Sequence, residues 1–448
     1  MTASERLPNV LIAGGGIAAL ELLLALRVHA GPHVAITLLT RDAELAPRAM
    51  TVAEPFGRGG AQTYDWSQIA RHQGAELVLD TLVAVDTAER IVFTHGGRRL
   101  HYDILALATG ARRVEPFAGA LTFGMPSDAA AQLHALVADV LTRGAASIAF
   151  TLPSPSIWPL PLYELALLTA DELREHDSPA AVRIVTPEQH PLALFGPAAR
   201  EALAPTLDML GIELVTSAQP QDVVAGGLQL RDGEIVAADH VVTLADVVAR
   251  PLPGLPVDRA GFVPVDLHGR VAGEPGVYAA GEVTSFPLRQ GGLATQQADA
   301  VAETIAAACG AGNDPLAFRP VLRGRLMTSG APLYLQARPS GQTLASTRAL
   351  WSPPEKIAGR YLAPYLSSAR PAWIGAEPLA ERVPTAGARS DDRDAITLAL
   401  ALAEAEARSG NATRAQQARE AARALGRDAP VRPVEWTSAR SGTEVVSP

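Results

Sequence analysis

The residues best suited to chemistry sit at turns. In NVLIAGGGIAALELLL, Gly14, Gly16 and Ala19 satisfy G-x-G-x-x-A between an apolar strand at 10–13 and a Leu/Ala-rich helix. In that context the motif holds a dinucleotide. Gly14 permits a tight turn, Gly16 lets the backbone approach a pyrophosphate at the helix N-terminus, and Ala19 lets helix and strand pack closely. It does not choose between FAD and NAD. An acid for the adenosine ribose is expected at the end of the next strand, HVAITLLT, yet Thr40 stands there, followed by Arg41 and Asp42. Ribose recognition is therefore altered, with Asp42 the candidate substitute one turn on. Further along, Thr109-Gly110 ends a strand at 104–108, Gly281-Glu282 ends another at 277–280, and Gly291-Gly292 opens a long helix.

Composition narrows the class. The chain has 448 residues, enough for two or three domains, with 48% hydrophobic and 19% charged residues, the balance of a packed globular enzyme. A net charge of −9 argues against a nucleic-acid partner. Lys356 is the only lysine and Cys309 the only cysteine. One thiol makes no internal disulfide, CxxC pair or cysteine zinc site, and its neighbours AETIAAACGAG read as the end of an apolar helix. A buried small side chain is expected there. The first residues carry no apolar signal-peptide core, and the apolar run at 18–26 is too short to span a bilayer. A soluble, cytoplasmic protein is the expectation.

These residues need elements to position them. The middle of the chain alternates strands at Ser147–Thr151, 182–186, 212–216 and His240–Leu244 with helices at Leu160–Glu175 and 197–210, the second ended by Gly211. A turn-rich region at 321–370 carries Tyr334, Trp351, Tyr361 and Tyr365, which read as packing residues. From Ala395, two Ala/Leu-rich helices broken at Ser409-Gly410-Asn411 form a hairpin that docks onto its own chain or a partner subunit. Mixed charges and the lack of aromatics argue against a membrane anchor there.

The ordered set of motifs, with YDILALATG at the second turn and YAAGE followed by RQGGL at the third, resembles a known family. This is the glutathione-reductase-like superfamily of two-dinucleotide-binding-domain, FAD-dependent pyridine nucleotide-disulfide oxidoreductases. The resemblance is nearest to the sulfide:quinone oxidoreductase and type II NADH dehydrogenase branch, and it covers 8–366. It implies an α/β fold of two Rossmann-like domains, the second inserted in the first. The expected parts are a split FAD-binding domain at 8–115 and 260–320 and a degenerate NAD(P)-binding-like domain at 116–259. A cap or interface region at 321–380 and the helical hairpin at 390–428 follow.

The resemblance also implies FAD as cofactor. Its site set on this sequence is Gly14, Gly16, Ile17, Ala18, Ala19, Thr40, Arg41, Val83, Ala108, Thr109, Gly110 and Gly281. To these it adds Glu282 at the ribityl–phosphate part and Gly291, Gly292 and Leu293 at the pyrimidine end. A helix N-terminus there stabilises the anion of reduced flavin by its dipole and free N–H groups. Arg48, in APRAMTVAEPF, falls where the family's chain passes near the flavin, so a cation there would help hold negative charge.

A second G-x-G-x-x-G should follow the strand Ser147–Thr151 if NAD(P)H bound in the family's way. Instead the chain reads LPSPSIWPLP, whose four prolines remove four potential phosphate donors while Trp158 adds bulk. Thr186-Pro187-Glu188 offers only a displaced ribose acid. Tight, conventional NAD(P)H binding is therefore expected to be lost. Glu164, early in the following helix, matches the family's glutamate near the flavin. It reads either as a proton relay or as a helix-start carboxylate, and Tyr163 as a second relay or a packing residue. The missing cysteines speak against sulfide oxidation. Three readings remain open. The first is an FAD-dependent oxidoreductase acting on a small molecule, a quinone-like acceptor or oxygen without a protein thiol. The second is a flavoprotein-like scaffold that docks a partner or a second copy through its C-terminal region. The third is an NADH:quinone-type dehydrogenase.

Overall fold

The computed structural model describes residues 6–60, 62–125, 128–143, 146–311, 314–339, 341–368, 380–381 and 394–426. Runs of buried aliphatic residues set its first sheet. Strands Asn9–Ala13, Ala35–Thr40, Glu76–Leu79, Ile104–Leu107 and Val277–Ala279 are all parallel, in spatial order last, fourth, first, second, third. VLIA and ILAL are buried throughout, as parallel strands covered on both faces must be. The helix Ile17–His29 is buried from Ala18 to Leu26, and the helix Gly291–Ala308 shares its apolar cluster. Alanines at 18, 19, 294, 298 and 302 let the two approach closely.

The second sheet repeats the plan. Leu121–Phe123, His240–Leu244, Ser147–Thr151, Ala181–Val185 and Glu213–Val215 lie side by side in that order, all parallel. Each sheet carries a three-stranded antiparallel insertion, Leu82–Asp86/Ile91–Thr94/Arg99–His101 in one and Pro220–Val224/Gly227–Leu230/Ile235–Ala237 in the other. The paired strands Arg112–Val114 and Asp246–Val248 cross between the halves. The expected α/β fold with two Rossmann-like cores is what the chain forms.

Beyond them, an antiparallel meander, Leu322–Leu326, Leu333–Ala337 and Thr343–Ser346, packs on the second core. Gly324 sits where a Cβ would lie 2.4 Å from Leu160 Cδ2, so any larger residue there would require the packed Leu160 and Phe195 side chains to move. Trp351 is fully buried and meets Tyr334 edge-on at 5.2 Å. The hairpin is formed by Asp394–Arg408 and Ala412–Leu425, with Asn411 accepting the Arg414 N–H as its cap. Its apolar face, Ala395, Leu398, Ala399, Leu402, Ala422 and Leu425, joins the core of the second half. The hairpin therefore docks on its own chain. Residues 390–393 and 427–428, expected in this element, lie outside the described residues. Among the described residues no helix is long and apolar enough to cross a membrane, and no side-chain group could hold a metal ion.

Candidate functional site

The carboxyl ends of the first sheet open into a cavity of about 700 Å³. At one end lie Thr40, Arg41 and Asp42; the Gly14–Gly16 turn, Ala108, Thr109, Gly110, Gly281 and Glu282 follow; Gln290, Gly291, Gly292, Trp158 and Lys356 line the other end. Ile17 and Ala18 also line it. The structure thus gathers most of the expected cofactor residues on one continuous wall, which is the layout a dinucleotide needs.

The turn fits a pyrophosphate. A Cβ on Gly14, at φ +145, would lie 2.1 Å from the Ala108 carbonyl oxygen, so this position is fixed by packing against the neighbouring strand. A Cβ on Gly16 would meet nothing within 4 Å and would project into open space. Gly16 is also the N-cap of the helix Ile17–His29, with no side-chain cap, so the first turn's N–H groups keep their capacity for an anion. The helix Gly291–Ala308 is different. Gln290 caps it, its side-chain oxygen accepting the Leu293 N–H at 2.6 Å. Leu293 is buried in the core and its N–H already has this partner, so Gly291 and Gly292 are left as the cavity-lining backbone. Gly281 is held by its N–H to Gln297 Oε1 at 2.7 Å.

Other expected residues fall elsewhere. Ala19 is fully buried, against the first core. Val83 is solvent-exposed on its strand, and its neighbour Leu82 lines the cavity instead. Thr40 is buried against Gly15 and its hydroxyl donates to the Asp42 carbonyl at 3.2 Å. The Asp42 carboxylate faces outward beside Arg41 at 2.9 Å. The side chain of Arg48 lies outside the described residues. Glu282 accepts from Arg113 Nη2 at 2.5 Å, a pairing the motif does not announce because Arg113 is 169 residues away.

Glu164 and Tyr163 leave the helix in different directions. Glu164 is fully buried and does not line the cavity; Lys356 does. Lys356 Nζ donates to Glu164 Oε2 at 2.7 Å, and the Met327 N–H donates to Oε1 at 2.9 Å. Burial pushes the Glu164 carboxyl upward, and the Lys356 charge opposes that shift. Tyr163 points into the second core, its hydroxyl donating to Glu188 Oε2 at 2.7 Å. Glu188 is turned inward too, accepting from Thr186 and from the Ala193 N–H. It is therefore a core acid pushed up to about 7 by burial, rather than a ribose ligand. Lys356 was visible only as a compositional oddity; its sequence position gave no sign of the cleft.

The second sheet's carboxyl edge is filled by protein. Strands Ser147–Thr151 and His240–Leu244 run parallel side by side, and between them the order in which the chain adds strands reverses, the place where α/β folds bind ligands. There Glu406 Oε1, from the C-terminal hairpin, accepts from Ser154 Oγ at 2.8 Å, Ser156 Oγ at 2.5 Å and the Ser156 N–H at 3.0 Å. Arg414 donates to both serine hydroxyls at 3.1 Å and pairs with Asp246 just past the other strand.

Comparison with known proteins agrees with this architecture. Residues 8–308 match the family model described as pyridine nucleotide-disulphide oxidoreductase. Two NADH dehydrogenase-like proteins of Mycobacterium tuberculosis are 31% identical over 47% of this chain and 56% of theirs. The chain spans about half the length of these curated relatives. Among solved structures, the sulfide:quinone oxidoreductase of Aquifex aeolicus superposes with a TM-score of 0.67 at 17% identity, over 76% of this chain and 86% of that one. A ferredoxin reductase from Rhodopseudomonas palustris gives 0.54 at 20% identity, over 73% and 81%. At these identities the structural likeness shows the shared fold. The family match spans both sheets and the glycine-turn cleft, and on it the chain belongs to the pyridine nucleotide-disulphide oxidoreductase family.

Proposed function

We propose that this chain is an FAD-dependent oxidoreductase that passes an electron pair between the flavin and a small-molecule or quinone-like partner, without a protein thiol and without conventional NAD(P)H binding. The observation that carries the reading is the Gly16 turn, uncapped and open to a continuous cleft that ends at Lys356. Gly14–Gly16 and the N-terminus of the helix Ile17–His29 would hold the pyrophosphate, Glu282 the ribityl part, and Gly291-Gly292 the pyrimidine end. Bound there, FAD supplies reversible two-electron chemistry.

The chain's own residues shape what happens at the reacting end. Lys356 presents an ammonium to the cleft, able to hold developing negative charge or give a proton. Glu164, buried behind it, is a positioning residue that fixes the ammonium's place. Trp158, Leu160 and Pro161 line the same cleft and give it apolar surface beside Lys356. Cys309 ends the helix Gly291–Ala308 away from this cleft, and burial pushes its thiol up to about 11.

The test is reconstitution with FAD followed by anaerobic titration with a donor panel. The expected result is retained yellow protein that is reduced by a non-nicotinamide donor or reoxidised by a quinone. Protein that never retains flavin, or whose flavin bleaches rapidly with micromolar NADH, overturns the reading.

A further inference from the structure

We infer that Glu406 and Arg414 are the specificity-determining residues that deny pyridine nucleotides the second cleft, by seating the chain's own carboxylate in the place of a dinucleotide pyrophosphate. The inference rests on the proposed flavin function but concerns a different cleft. The turn after Ser147–Thr151 has lost its prolines' N–H groups, yet it still carries donors. Ser154 Oγ, Ser156 Oγ and the Ser156 N–H converge on one point, and Glu406 Oε1 stands on that point. The Ile157 N–H turns back to the Ser154 carbonyl. An anion held by two hydroxyls, a backbone N–H and a nearby guanidinium is the chemistry of a phosphate site, here satisfied from within the chain.

The site is built, not incidental. Ser154, Ser156 and Glu406 are all buried, and Glu406 is fully so. Arg414 bridges the ends of both strands that flank the reversal point, bonding the serines on one side and Asp246 on the other. Arg231 Nη1 donates to the Ser409 carbonyl at 2.9 Å, fixing the hairpin's turn to the second half's antiparallel insertion. The apolar face of the hairpin then anchors the whole element in the core. A dinucleotide would have to displace a tethered competitor. If the hairpin were undocked about 1% of the time, the apparent dinucleotide affinity would fall about 100-fold.

The experiment compares three flavin-loaded proteins: the full chain, the chain lacking residues 382–448, and the full chain carrying Glu406→Ala with Arg414→Ala. The double variant keeps the hairpin's apolar face and decides the matter if the truncation does not fold. NADH and NADPH binding is measured by calorimetry, which needs no flavin turnover, and flavin bleaching by stopped flow. The expected result is no detectable binding to the full chain, with binding and bleaching at least about 10-fold stronger in the altered proteins. Folded altered proteins as inert as the full chain overturn the inference, leave the proposed function standing, and assign the exclusion to the prolines alone. Tight binding of NADH by the full chain overturns both.

Discussion

Lys356 Nζ stands 2.7 Å from Glu164 Oε2, which places the chain's single lysine between a fully buried carboxyl and the open end of the glycine-turn cleft. The two come from elements 192 residues apart, the helix Leu160–Glu175 and the segment after Trp351. The pair therefore locks the cap onto the second core at the wall of the cleft. Lys356→Met leaves Glu164 with the Met327 N–H as its remaining bond and only the weaker influence of the Arg325 charge. Breaking one side of a buried pair costs roughly 3–5 kcal/mol. Replacing both partners, as in Lys356→Met with Glu164→Leu, should recover much of that loss. Urea unfolding of the two singles and the double checks it; purely additive losses would show the pair is uncoupled.

Stability should also depend on pH through Glu188. Its ordinary value is 4.5, and burial raises it to about 7 in the folded chain. The folded state therefore holds a proton that the unfolded state has released in this window. The group's contribution is complete below about 4.5 and is lost as pH rises to about 7, by on the order of 3 kcal/mol. Glu188→Gln keeps an acceptor for Tyr163 and removes this titration. Denaturation midpoints across that range should fall less steeply in the variant. Some slope remains from Glu21, which burial also raises to about 7. An unchanged slope would contradict the assignment.

What the sequence made legible was local. The strand Ser147–Thr151 and the helix Leu160–Glu175 stand where hydrophobic run, prolines and spacing place them, because each signal acts on its own neighbourhood. The turn at Gly14–Gly16 is equally local. The partners that close the site were not legible. Glu406, in the run AEAEAR, carries no local signal of a buried partner, and its place at Ser154 and Ser156 depends on a contact across 250 residues. Tyr163 and Glu164 are adjacent in sequence, but helical geometry sends them to different environments. Leu293 matches the position of a flavin-facing N–H, yet Gln290 caps it, a choice made by side-chain geometry after the helix exists.

Cys309 offers a check on thiol-free chemistry. Its thiol is half-buried at the C-cap of the helix Gly291–Ala308 and raised to about 11, chiefly by burial. At neutral pH only about one thiol in ten thousand is ionised, and the thiolate is the reactive form. Iodoacetamide should label the folded protein far more slowly than the urea-unfolded one, and Cys309→Ala should keep the flavin turnover of the parent within about twofold. Rapid labelling of the folded chain, or a tenfold loss in the variant, would return a thiol to the mechanism.

Gly14 and Gly16 lie two residues apart and should fail in opposite ways. Gly14 takes φ +145, and a Cβ built there would lie 2.1 Å from the Ala108 carbonyl oxygen. Gly14→Ala forces the first strand and Ile104–Leu107 apart, so thermal stability should fall by several degrees, with flavin lost as a consequence. Gly16 has φ −107, a conformation open to any residue, and its Cβ would meet no protein atom within 4 Å. Gly16→Val should therefore leave the apoprotein's melting temperature nearly unchanged. Its branched side chain would stand where the backbone must approach a pyrophosphate, weakening FAD by at least about 10-fold. Apoprotein melting and FAD titration by fluorescence quenching separate the two. Equal FAD affinity in Gly16→Val and the parent would mean that the open space beside Gly16 is not the phosphate seat.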